Sequence, residues 1–163
     1  MTYAKAADLT ARFGEREITQ LTDRGDTGQT NTGLVARALQ DATAFIDSHV
    51  GKVYALPLRG CAKPLALPGG TPEYVPPPVL TRLACDLARY YLYTDLPDEH
   101  EVARRYKNAV RDLADIANGK TQLTCPWGGP PGEALHAEGL QAQEVRSSFA
   151  PRQITDDSAR GYA

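Results

Sequence analysis

Apolar residues recur at helical spacing over most of the first 118 positions. Between 99 and 118, Val102, Tyr106, Ala109, Val110, Leu113, Ile116 and Ala117 fall on three- and four-residue steps, with Glu101, Arg104, Arg105, Lys107, Arg111, Asp112 and Asp115 on the other face. That alternation predicts an amphipathic helix. Asp98 with Glu101 three residues on reads as a capping box, and Gly119 as the stop. A second stripe, Leu34, Val35, Ala38, Leu39, Ala42, Ile46, Val50 and Val53, predicts a helix opened by Asn31 or Thr32 and carried to about Tyr54. Residues 79–93 follow Pro76, Pro77 and Pro78 and are apolar almost all round, which predicts a central, buried helix. Two short amphipathic helices near 4–13 and 15–22 meet at Gly14. The expected fold class is all-α, a bundle of about five helices.

Proline and glycine divide the chain. Seven of its 12 Pro lie in residues 56–78, which predicts a long Pro-rich loop, because proline lacks the donor a helix needs. Beyond 118 the large apolar residues, among them Leu123, Trp127, Leu135, Leu140 and Val145, are scattered without period among six Gly and four Pro. Such a segment buries too little surface to offset its own ordering entropy. The expected organisation is a helical body, 1–118, and an extended C-terminal arm, 119–163, ordered by a partner surface and able to add short β-strands.

Charge excludes one large class of function. The chain carries 18 Lys and Arg against 20 Asp and Glu, and the balance is even: 14 positive and 15 negative residues in 1–118, four and five in 119–163. A protein that grips nucleic acid through its surface concentrates Lys and Arg, and neither part does so. No run approaches the roughly 20 apolar residues of a membrane span, and the first ten residues lack the apolar core of a signal peptide, so a soluble protein made in a cytosol is expected. Cys61, Cys85 and Cys125 have neither the spacing of a metal knuckle nor an even count, and are expected to be three free thiols.

Candidate chemistry is sparse. His49, His100 and His136 have no second ligand at metal-binding spacing, and no nucleophile elbow, phosphate loop or dinucleotide fingerprint is present; no catalytic residue, cofactor or metal is expected. Arg82, Asp86 and Arg89 stand at i, i+4 and i+7 on the apolar helix, where Asp86 can pair with either Arg. With no nucleophile or second acid beside it, this set reads as a structural charge pair that satisfies itself or reaches a neighbouring subunit. The helix–Gly14–helix unit also fits a helix-turn-helix, but residues 1–24 carry four positive and four negative side chains, so an αα-hairpin packed on the bundle is favoured over DNA reading. Tyr90, Tyr91 and Tyr93 occupy three sides of one helix, suiting either core packing or an interface.

Order and spacing carry a resemblance. Tyr3, Ala7-Asp8-Leu9, Arg12-Phe13-Gly14, Leu21-Thr22-Asp23, Ala38, Asp41-Ala42, Ile46-Asp47 and Tyr54-Ala55-Leu56-Pro57-Leu58, then Pro77-Pro78-Val79-Leu80, the run Leu83 to Tyr90, Arg105-Tyr106-Lys107 and Gly119-Lys120 resemble the small neck protein family of Mu-like phages and prophages. The likeness spans nearly the whole helical body and is looser in the arm, at Phe149, Arg152 and Gly161-Tyr162. It implies a head–tail connector, or adaptor: a virion protein, assembled in the bacterial cytoplasm, that forms a ring of itself, typically twelve copies, under the portal protein. Such a ring completes the head and receives the stopper or tail-terminator, while double-stranded DNA passes through without sequence-specific binding. The expected partner interface is the arm, through Arg146, Phe149, Arg152, Ile154 and Tyr162, with the polar faces of helices 33–54 and 99–118 as ring contacts or channel wall. The alternative is a small helix-turn-helix DNA-binding regulator.

Overall fold

A computed structural model describes residues 2–65 and 70–135. Five helices form the body: α1 (Ala6–Phe13), α2 (Glu15–Thr22), α3 (Thr32–Val50), α4 (Pro78–Leu92) and α5 (Glu101–Ala117). The all-α expectation holds. Two dipeptide strands, β1 (Cys61–Ala62) and β2 (Tyr74–Val75), pair antiparallel within the Pro-rich loop, where no strand is expected from the sequence.

The periodic stripes account for the packing. α3 and α4 pack most extensively, α5 lies on both, and α1 and α2 close one side. Val35, Ile46, Leu80, Leu83, Leu87 and Leu113 are at most 1% exposed, each contributing about 1.5–3 kcal/mol by leaving water. α4 is the central helix: its run from Leu83 to Ala88 is buried without a break, Asp86 included. Pro78 sits in its first turn, where a missing N–H costs nothing.

Helix ends are set by short-range chemistry. Asn31 caps α3, its side chain accepting from the Gly33 and Leu34 amides. α3 stops at Val50, and the turn that follows runs through Gly51 in helical geometry to the Tyr54 amide, which bonds the Val50 carbonyl; the chain packs closely at Gly51. A Cβ there would lie 2.8 Å from Leu56 Cδ1 and 2.9 Å from the Asp47 carbonyl. α5 is capped by His100, whose Nδ1 accepts from the Val102 amide; Asp98, expected as the cap, instead takes an ion pair with Lys107. The Gly119 amide bonds the Ile116 carbonyl as the helix ends. Gly14 joins α1 to α2 at φ +87°, a conformation costly to any residue with a Cβ.

Past α5 the chain folds back onto the body. Leu123, one of the scattered apolar residues after 118, is 4% exposed, and its amide donates to the buried Tyr54 hydroxyl. Farther on, Ala134 bridges Tyr54 antiparallel, with Leu135 N donating to Val53 O, Ala55 N to Glu133 O and Gly60 N to Pro131 O. Cys61 and Cys125 are joined in a disulfide, correcting the expectation of three free thiols; only Cys85 is free among the described residues. The pairing was hidden because 64 positions separate the two cysteines and only the fold brings them together.

Candidate functional site

A polar seam runs between α2, α4 and α5, and it absorbs the charged set on α4. Asp86, 4% exposed, accepts from Arg105 Nε on α5 at 3.0 Å, while Arg82 stands 3.8 Å away within α4. Arg82 makes its closer contact, 2.9 Å, with Asp112 on α5, and Arg105 also reaches Glu101. Arg89 does not reach Asp86. Its guanidinium pairs with Glu17 on α2 at 2.7 Å and lies over the Phe13 ring, and Tyr93 Oη donates to the same carboxylate. Burial, then the Glu17 charge and its hydrogen bond, hold the Tyr93 hydroxyl above the ordinary tyrosine range.

Three helices are thus bolted together by charges that face one another, and each charge has a partner that neutralises it. Among the described residues every buried side-chain polar atom is hydrogen-bonded. Chemically, the seam can orient helices; it has no unpaired base or nucleophile to offer a substrate. Glu17, Arg105 and Asp112 are the members that sequence reasoning missed. Spacing within one helix identifies Arg82 and Asp86 as neighbours, but a partner 72 positions away, as Glu17 is from Arg89, leaves no local signal.

Aromatic residues extend the seam. Tyr90 stacks on Tyr106 with ring centroids 4.0 Å apart, and Tyr91 meets both edge-on. Burial and the neighbouring Tyr106 push the Tyr91 hydroxyl up to about 12. These rings serve as packing between α4 and α5. Tyr3 closes the opposite side, its hydroxyl donating to Asp47 on α3.

The helix–Gly14–helix unit is an αα-hairpin locked to the bundle. Ile18 and Thr22 are buried, and Glu17 is engaged by Arg89. What α2 presents outward includes Glu15, Arg16 and Gln20, a surface without the net positive charge that phosphate contacts require.

Large apolar side chains are exposed elsewhere, Leu65 and Val79 among them. Leu56, Trp127 and Leu135 are 42%, 48% and 51% exposed, and all belong to the segments tied together by the Tyr54–Ala134 bridge and the Cys61–Cys125 bond. Arg146, Phe149, Arg152, Ile154 and Tyr162, the expected partner-interface residues, lie outside the described residues, as does His136. His49 bonds the Phe45 carbonyl of its own helix through Nδ1. Among the described residues no group of three His, Cys, Asp or Glu is placed to hold a metal ion, and no helix is long and apolar enough to cross a membrane.

Comparison with known proteins fits this body. A family model described as Bacteriophage Mu, Gp36 matches residues 3–139. Gene product J of Escherichia phage Mu is 32% identical over 122 residues, 74% of this chain and 75% of that protein. The Mu-like prophage FluMu protein gp36 of Haemophilus influenzae is 27% identical over 121 residues, 74% of each. The resemblance read from residue order and spacing holds, and with the match running through all five helices and the segment that folds back on them, the chain belongs to the bacteriophage Mu Gp36 family.

Proposed function

We propose that this chain is a head–tail connector of a Mu-like phage: a structural protein that assembles with copies of itself into a ring beneath the portal, completes the filled head and receives the stopper or tail. The observation that carries the reading is membership of a phage Mu family along the whole helical body. Three features support it. The charged seam is spent on holding helices together. The even charge balance, 14 to 15 in residues 1–118, suits a wall past which DNA slides without being held. The apolar side chains Leu56, Trp127 and Leu135 are exposed in the linked segments that lead to the arm, where a contact with another chain would bury them. Against the regulator alternative stands the outward face of α2, where Glu15, Arg16 and Gln20 supply no net positive charge for phosphate contacts.

The test is genetic. A phage lacking this gene should yield, on induction, lysates containing separate heads and separate tails by negative-stain microscopy, and supplying the chain from a plasmid should restore joined particles. Joined, infectious particles in the absence of the gene would overturn the reading.

A further inference from the structure

Within the Pro-rich loop, β1 and β2 pair over only two residues each, and a ladder that short is marginal alone. What fixes it to the rest of the molecule covalently is Cys61, the first residue of β1, bonded to Cys125 at the turn where the Gly128 amide bonds the Cys125 carbonyl. The same bond therefore pins the hairpin and the segment from which the arm departs. Cys61 is fully buried whereas Cys125 is partly exposed, so Cys125 is the residue of the pair that a small thiol approaches from solvent. Cys85 stands apart inside α4 at 0% exposure, and burial pushes its thiol up to about 11. It stays protonated and does not compete in exchange.

We propose that Cys61–Cys125 is a redox-operated clasp, open as two thiols in the reducing cytoplasm and closed in the released particle, fixing the hairpin against the base of the arm only after assembly. The timing rests on the virion reading; the clasp itself does not. Opening is a two-step exchange. The thiolate of a small thiol such as glutathione attacks Cys125 Sγ, the S–S bond breaks, and the electron pair leaves on Cys61 Sγ, which takes up a proton. A second small thiol then releases Cys125, so that one protein disulfide and two thiols become one protein dithiol and one small disulfide. Closing is the reverse, with an oxidised small disulfide as the electron acceptor. Cytoplasmic thiol pools favour the open form and extracellular conditions the closed one. Leu123, the Tyr54–Ala134 bridge and the flanking backbone bonds hold the segment through contacts that do not pass through the disulfide.

Equilibrating the full-length chain with glutathione mixtures and trapping thiols with a maleimide mass tag after denaturation should give three tags per chain when reduced and one, on Cys85, when oxidised. Closure should raise Tm by about 10 °C, from the entropy of a loop this long, with no change in helicity. Cys85→Ala should keep the shift, and a Cys61→Ser/Cys125→Ser variant should lose it. Three tags at every ratio, pairing through Cys85, or a Tm indifferent to oxidation would overturn the clasp, and wild-type chain alone decides these outcomes. Acid-quenched host cells before lysis should give three tags and released particles one; one tag in both, or three in both, would overturn the timing. Absence of the chain from particles would sink the virion reading and the timing with it, while the glutathione titration still decides the clasp.

Discussion

At Asp86 a carboxylate 4% exposed relies on two guanidiniums of unequal geometry, Arg105 with a hydrogen bond at 3.0 Å and Arg82 at 3.8 Å. Removing a buried ion's partner costs more than the pair itself contributes, because the remaining charge stays in a poor solvent. Arg105→Ala should therefore lower unfolding free energy by about 2 kcal/mol, and Arg82→Ala, which leaves that bond intact, by less than about 1 kcal/mol. Urea denaturation of the two variants decides it, and equal losses would show that Asp86 does not depend on Arg105. Asp23 offers a pH-dependent case. The Thr27 and Gly28 amides donate to its carboxylate, and the Thr27 amide above all holds it below the usual carboxylate range. A depressed acid stabilises the fold above its unfolded pKa, about 3.9, and the contribution disappears as pH falls through the folded value. The stability gap between wild type and Asp23→Asn should be present at pH 7 and close in acid; a gap independent of pH would contradict the assignment.

Elements differ in how far the sequence reveals them. α3, α4 and α5 are legible because their apolar stripes are long, and Gly14 marks the α1–α2 corner because only a residue without a Cβ sits easily at φ +87°. The α5 cap is set by the Val102 amide donating to His100 Nδ1, and Leu56 packs close to Gly51 just past α3; such contacts are invisible to periodicity. By periodicity alone residues 119–135 belong to a coreless arm, for the same reason. Leu123 belongs to no stripe, and only the fold brings it beneath Tyr54. That segment should behave as part of the body. With disulfides reduced throughout, a chain ending at 135 should unfold with the urea midpoint of a wild-type body, whereas one ending at 118 loses Leu123 and the Tyr54 bond and should be less stable by about 2–4 kcal/mol. Equal midpoints for both truncations would show that 119–135 contributes nothing.

For the molecule as a whole, the sequence makes the absence of catalytic motifs and the even charge legible, and the family resemblance with them. The partners of Arg89 and Cys61, and Arg105 as the closer partner of Asp86, are not legible, because each lies across the fold from its own element. What emerges is a body with one buried carboxylate, Asp86, and ion pairs that link helix to helix, and with apolar side chains exposed in the segments next to the arm. Such a body suits a part built to be held between other chains. Electron cryomicroscopy of intact particles tests that most directly. Density for the five-helix body should appear in a closed ring at the head–tail junction, with residues 56–58 and 127–135 against a neighbouring chain. Particles whose junction is built without this chain would contradict the connector reading.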